Sequence, residues 1–93
     1  MSNGVLRRIR TAVHENRYMM TDHALEEADD DDLTLNDILD VLLFGDLATT
    51  HTDDPRGERY VVRGNVDDDE VEVVCRFRED GTLLIIITVY VVY

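Results

Sequence analysis

Residues 58–93 read ERYVVRGNVDDDEVEVVCRFREDGTLLIIITVYVVY, and the alternation of apolar and polar residues through them decides the fold. Successive side chains of an extended chain point to opposite faces. From Glu70 to Arg78 this sets Val71, Val73, Cys75 and Phe77 on one face and Glu72, Val74, Arg76 and Arg78 on the other. Glu58 to Val66 divides likewise, with Tyr60, Val62 and Val66 opposing Arg59, Val61, Arg63 and Asn65. Asp67-Asp68-Asp69 is a polar turn between these two strands, and Glu79-Asp80-Gly81 contains the Asp-Gly hairpin signal. Leu83 to Tyr93 is almost wholly apolar, which predicts a central strand. Strict alternation there sets Ile85, Ile87, Val89 and Val91 against Ile86, Thr88, Tyr90 and Val92.

Working back from this stretch, Leu47 to Thr52 reads as an edge strand, and Asp53-Asp54-Pro55-Arg56-Gly57 as a turn. Before Gly45 the apolar period lengthens to that of a helix. Val5, Ile9, Ala12 and Val13 form one stripe of a helix from Val5 to about Arg17. A shorter helix runs from Asp22 to about Asp30, capped by Thr21 or Asp22, and the aspartates Asp29 to Asp32 are expected to fray into a solvated turn. The third helix carries the fullest signals. Thr34 and Asp37 approximate a capping box, Leu33 and Ile38 a hydrophobic staple, and Gly45 is the stop. The expected fold class is α+β. Two or three N-terminal helices pack on one face of a mostly antiparallel sheet of three or four strands, in a single domain over residues 1–93.

Charge is partitioned along the chain. Tyr18 to Pro55 holds twelve Asp/Glu and no Arg or Lys, so the net charge of −12 belongs to that segment. All nine basic residues are Arg and lie outside it. This balance argues against general affinity for nucleic acid or an anionic membrane, but it leaves room for a local basic patch. The single Cys75 cannot form an internal disulfide and reads as a small buried hydrophobe. No signal peptide or membrane helix is expected, which gives a cytoplasmic setting. One Cys and three scattered His lack zinc spacing, and the Asp run lacks the pattern of a calcium loop, so neither metal nor cofactor is expected.

If the faces align across the sheet, Arg59, Arg63, Arg76, Arg78, Thr88 and Tyr90 lie together on the side away from the helices. One reading makes them a solvated face paired with Glu58, Glu72 and Glu79. The other makes them a phosphate-binding surface, because guanidinium forks match phosphate oxygens and Tyr90 offers a ring for stacking. His23, at the start of the second helix, is either a buried structural residue or a general acid or base whose neutral form the helix N-terminus favours. His14 and His51 carry weaker functional signals on a helix and an edge strand.

The segments MTDHALEEA, LLFGDL, DDPRGERYVVRG, VEVVCRF and GTLLIIITVY occur in that order between Tyr18 and Tyr90. Together they resemble the domain-of-unknown-function family numbered four-two-five-eight. That family is similar in layout to the RelE and MqsR toxins, small ribonucleases of toxin–antitoxin pairs. The resemblance implies helices on one face of an antiparallel sheet and RNA on the other. It implies a metal-independent endoribonuclease in which His23 is general acid or base, Arg76 stabilises the transition state and Tyr90 positions a base. Arg59 would line the same site, the strand alternation adds Arg63, Arg78 and Thr88 as RNA-binding residues on that face, and an antitoxin would be the protein partner. The departure is the acidity after His23-Ala24, where Glu26 and Glu27 stand. The other function class is a non-catalytic homodimer or partner-binding module, using the exposed half of Leu83 to Tyr93, with Ile86 and Val92 in the contact.

Overall fold

The computed structural model describes residues 3–93. Three helices, α1 (Asn3–His14), α2 (Asp22–Asp30) and α3 (Leu35–Phe44), accompany five strands: β1 (Tyr18–Met20), β2 (Asp46–His51), β3 (Arg59–Val66), β4 (Asp69–Phe77) and β5 (Leu84–Val92). The strands form one mixed sheet in the order β1-β5-β4-β3-β2. β1 runs parallel to β5, and the other neighbours are antiparallel. The sheet therefore has five strands rather than the three or four expected. The extra one, Tyr18-Met19-Met20, is too short for any period to show.

The helices cover one face. Ile9, Ala12 and Val13 of α1, Ala24 and Ala28 of α2, and Ile38, Val41 and Leu42 of α3 meet Tyr60, Val62, Val71, Val73, Cys75, Leu84, Ile86, Val89 and Val91 in one buried cluster. α1 ends at the turn where Asn16 adopts a left-handed φ of 58°. The caps of α3 are as expected: Thr34 accepts from the Asp37 amide and Asp37 accepts from that of Thr34, and the chain then leaves the helix at Gly45. A Cβ at Gly45 would collide with the carbonyl oxygens of Val41 and Arg63, so the residue lets the helix end press onto β3.

Two bulges alter the expected faces. In β5 the register shifts between Val74 and Cys75, which pair with Thr88 and Ile86 and leave Ile87 unopposed. The extra residue reverses the alternation at that point. Ile86 joins Val89 and Val91 in the core, and Ile85 moves to the open face with Thr88, Tyr90 and Val92. The expected grouping of Ile85 with Val89 is thereby corrected, as is the exposure expected of Ile86. A second shift in β2, at Ala48, separates Leu47, opposite Val62, from Thr49, opposite Val61.

The two sheet edges are treated differently. Past the short β1, the backbone of β5 is met by side chains from α2 and its cap. The Thr21 hydroxyl donates to the Ile87 carbonyl at 3.1 Å, Glu27 accepts from the Val89 amide at 3.2 Å, and Asp31 accepts from the Val91 amide at 3.3 Å. Asp31 is thus part of an edge cap, which corrects the reading of the Asp run as wholly solvated. β2, at the other edge, is largely exposed.

Candidate functional site: the open sheet face

Opposite residues of paired strands share a face, so the registers set the open face out in rows. One row runs Asp46, Arg63, Glu72, Tyr90. The next runs Thr49, Val61, Val74, Thr88. In the third, His51 opposes Arg59 and Arg76 opposes Ile85, which in turn pairs with Met19. The register that sets Tyr60 against Cys75 places Arg59 beside Arg76 one step further along. Arg59 and Arg63 are four residues apart on β3, about 13 Å along the strand, so the face holds two polar rows with an apolar row between them. Val61, Val74 and Ile85 are buried although no helix covers them. The rows on either side carry long side chains such as Arg59, Arg63 and Tyr90, whose stems suit the covering of apolar surface.

The first polar row is a closed network. Glu72 is only 8 % exposed. Arg63 donates to its Oε2 from Nε at 2.7 Å and also from Nη2, and the Tyr90 hydroxyl donates to its Oε1. Glu70 adds a looser ion pair to Arg63 at 3.8 Å. The Tyr90 hydrogen bond, with help from Arg63, holds the Glu72 carboxyl below its ordinary pKa against the opposing effect of burial. The same carboxylate raises the pKa of Tyr90, and burial adds to that rise. Arg63 is raised in turn by its bond to Glu72. Glu72 was expected as an arginine partner and is one.

The second polar row is open. Arg59 has Asp54 at 3.4 Å from its Nε, but that N–H finds no hydrogen-bond partner among the described residues. The Asp54 carboxyl is held below its ordinary pKa chiefly by the Arg56 amide, and the charges of Arg56 and Arg59 add to this. Arg76 is half-buried and enters no ion pair among the described residues. His51 is exposed beside them.

The remaining candidates lie elsewhere. Arg78 falls beyond the end of β4, where it grips Asp80 and Thr82 in the hairpin. That contact drives the Asp80 carboxyl well below its usual range. Arg78 is not part of the row formed by Arg59 and Arg76. Thr88 lies in the apolar row. His23 is exposed and holds Glu27 at 3.2 Å at the β5 edge. It marks the rim of the sheet and is neither buried nor aligned with Arg76. His51, which carried a weak functional signal in the sequence, lies across from Arg59 at this face. Its alternation with Thr49 pointed to this face, but the bulge at Ala48 hid which residues of β2 share it.

Cys75 lies in the core, where burial pushes its thiol up to about 12, and it takes no part in the face. Among the described residues there is no group of three or more metal-ligating side chains, and no helix is long and apolar enough to cross a membrane. In comparisons with known proteins, the family model described as Domain of unknown function (DUF4258) matches residues 20–91. No curated protein and no solved structure matches the chain.

Proposed function

We propose that this chain, which belongs to the DUF4258 family, is a toxin-like RNA-binding domain that cleaves its bound strand without a metal. The observation that carries this is the β3–β4 register, with Tyr60 opposite Cys75, which continued by one residue brings Arg59 towards Arg76 on the open face, where His51 opposes Arg59. Like charges directly opposite on neighbouring strands destabilise a sheet. Asp54 offsets one of them, and the other is left for an anion. A bridging phosphate placed between the guanidiniums relieves the repulsion and receives donors from both.

The chemistry that suits these groups is attack by a ribose 2′-oxygen on the adjacent phosphorus. The 2′-O–P bond forms, the P–O5′ bond breaks, and the products are a 2′,3′-cyclic phosphate and a 5′-hydroxyl. The proton on the 2′-oxygen passes to the His51 imidazole, and the departing 5′-oxygen takes a proton from water. Arg59 and Arg76 stabilise the extra negative charge on the phosphorane-like transition state. Arg63, already tied to Glu72, has a supporting role, and Tyr90 is oriented by the same carboxylate at the far side of the face. The layout expected from the RelE and MqsR resemblance, with helices behind and RNA in front, agrees with this assignment.

The test is cleavage of a short labelled RNA at low ionic strength. Arg76→Ala and His51→Ala are expected to lose at least about a hundredfold in rate, a typical loss for an acid–base or charge-stabilising group. His23→Ala should retain the rate, and a chelator should have no effect. Absence of both cutting and binding would sink the proposal.

A second reading is favoured by the open β2 edge and by Phe44, which is 79 % exposed beside it. Two copies pairing β2 with β2 in antiparallel fashion would set Asp46 of each against His51 of the other. That arrangement makes the chain a homodimeric module and holds His51 against a carboxylate of the second copy. Light scattering at the concentration of the cleavage assay separates the two: a monomer with cleavage supports the first, and a dimer without it supports the second.

A further inference from the structure

Positive charge also collects where the sheet-face reading makes no use of it. Arg7, Arg8, Thr11 and Arg17 surround a depression of about 220 Å³ that is completed by Phe77 and Gly81. A second depression of about 360 Å³ shares Arg7 and Thr11 and continues past Arg10 and His14. The two make a trough along α1. Among the described residues the two parts are lined by basic, polar and apolar side chains, with Glu15 paired to Arg17 at one end, in a chain whose net charge is −12.

Several of these guanidiniums are already held in place. Arg8 stacks on the Phe77 ring with its Cζ 4.3 Å from the centroid. A stacked guanidinium keeps its edge donors free for in-plane hydrogen bonds. Arg17 is fixed by the Thr82 carbonyl at 2.8 Å and by Glu15, also at 2.8 Å. Arg10 donates from Nη2 to the Gly45 carbonyl at 2.8 Å. Arg7 is exposed. Fixing long side chains in advance lowers the entropic cost of binding. Regularly spaced negative charge is what such a row fits, and a nucleic-acid backbone supplies it.

The position of the trough links it to the other face. It ends against Phe77 and Gly81, at the hairpin of residues 78–83. Arg76, one residue before Phe77, faces the opposite side of the sheet. We infer that the α1 trough is a second phosphate subsite, seating backbone phosphates of an RNA strand that rounds this hairpin from the Arg59–Arg76 face. The subsite rests on the RNA reading above.

The experiment compares an RNA of about twelve nucleotides, within the usual span of single-strand sites, with a dinucleotide that occupies the sheet face alone. Arg7→Glu, on an exposed helix position, keeps the melting temperature of the parent protein. The longer RNA should bind it about tenfold more weakly, with the slope of log K against log salt reduced by about 0.7 for each phosphate the variant no longer neutralises. Dinucleotide affinity should not change. Titration of the parent protein with pyrophosphate should shift the Nε–Hε resonances of Arg7, Arg8 and Arg17. Unchanged affinity of Arg7→Glu for the longer RNA, or no pyrophosphate shift, overturns the subsite and leaves the sheet-face reading standing. Failure of the parent protein to bind either RNA overturns the sheet-face reading and the subsite with it.

Discussion

A carboxylate in the middle of a sheet face is costly unless its oxygens are matched, and Glu72 is matched on both. Removing the Tyr90 hydroxyl leaves Oε1 without its donor. Tyr90→Phe should therefore cost about 1 kcal/mol in urea unfolding at neutral pH. The pH dependence has a definite sign. Glu72 titrates below its ordinary value of 4.5 in the folded protein, so its contribution is complete above that value and is lost as pH falls through the lowered one. The difference between parent and Tyr90→Phe should shrink across that acid range. A difference that stays constant down to acid pH would mean the ring, not the hydroxyl, carries the effect. The sequence placed Arg63, Glu72 and Tyr90 on one face. It could not show that Glu72 takes up both neighbours, because that depends on which strands adjoin and in what register.

At the scale of elements, α2 serves as an edge guard. Glu27 and the capping residue Asp31, four residues apart, reach the Val89 and Val91 amides, which would otherwise present an unpaired edge. Glu27→Ala with Asp31→Ala should cost about 1–2 kcal/mol together. The same double variant should speed hydrogen exchange at the Val89 and Val91 amides and promote aggregation. Protection unchanged at those amides would show that the side chains add nothing. The helices were legible because caps and staples are local: Thr21, Thr34, Asp37 and Gly45 announced α2 and α3. β1 was not legible, since three residues carry no period and its partner lies at the other end of the chain. The bulge at Ile87 was hidden for a related reason. In a run of isoleucines, inward and outward positions look alike until a neighbouring strand fixes them. The basic trough was missed because α1 was read only for its apolar stripe.

For the molecule as a whole, twelve excess negative charges oppose compaction. The Debye length falls from about 10 Å at 0.1 M salt to about 3 Å at 1 M, so the melting temperature should rise over that interval. The RNA binding proposed above should weaken over the same interval, because counterion release favours it only at low salt. A melting temperature that falls with added salt would show that the surface ion pairs at Arg63, Arg78 and Arg17 outweigh the repulsion.

Among the elements described, β5 is the last to be made on the ribosome, yet it occupies a slot between β1 and β4. Until it arrives, Tyr18–Met20 has no strand to lie against and the carboxylates of Glu27 and Asp31 have no amides to hold. The native sheet is therefore completed only once translation has passed residue 92, and until then α2 lacks the strand that covers its apolar face, whereas α3 already has β3 and β4 to lie on.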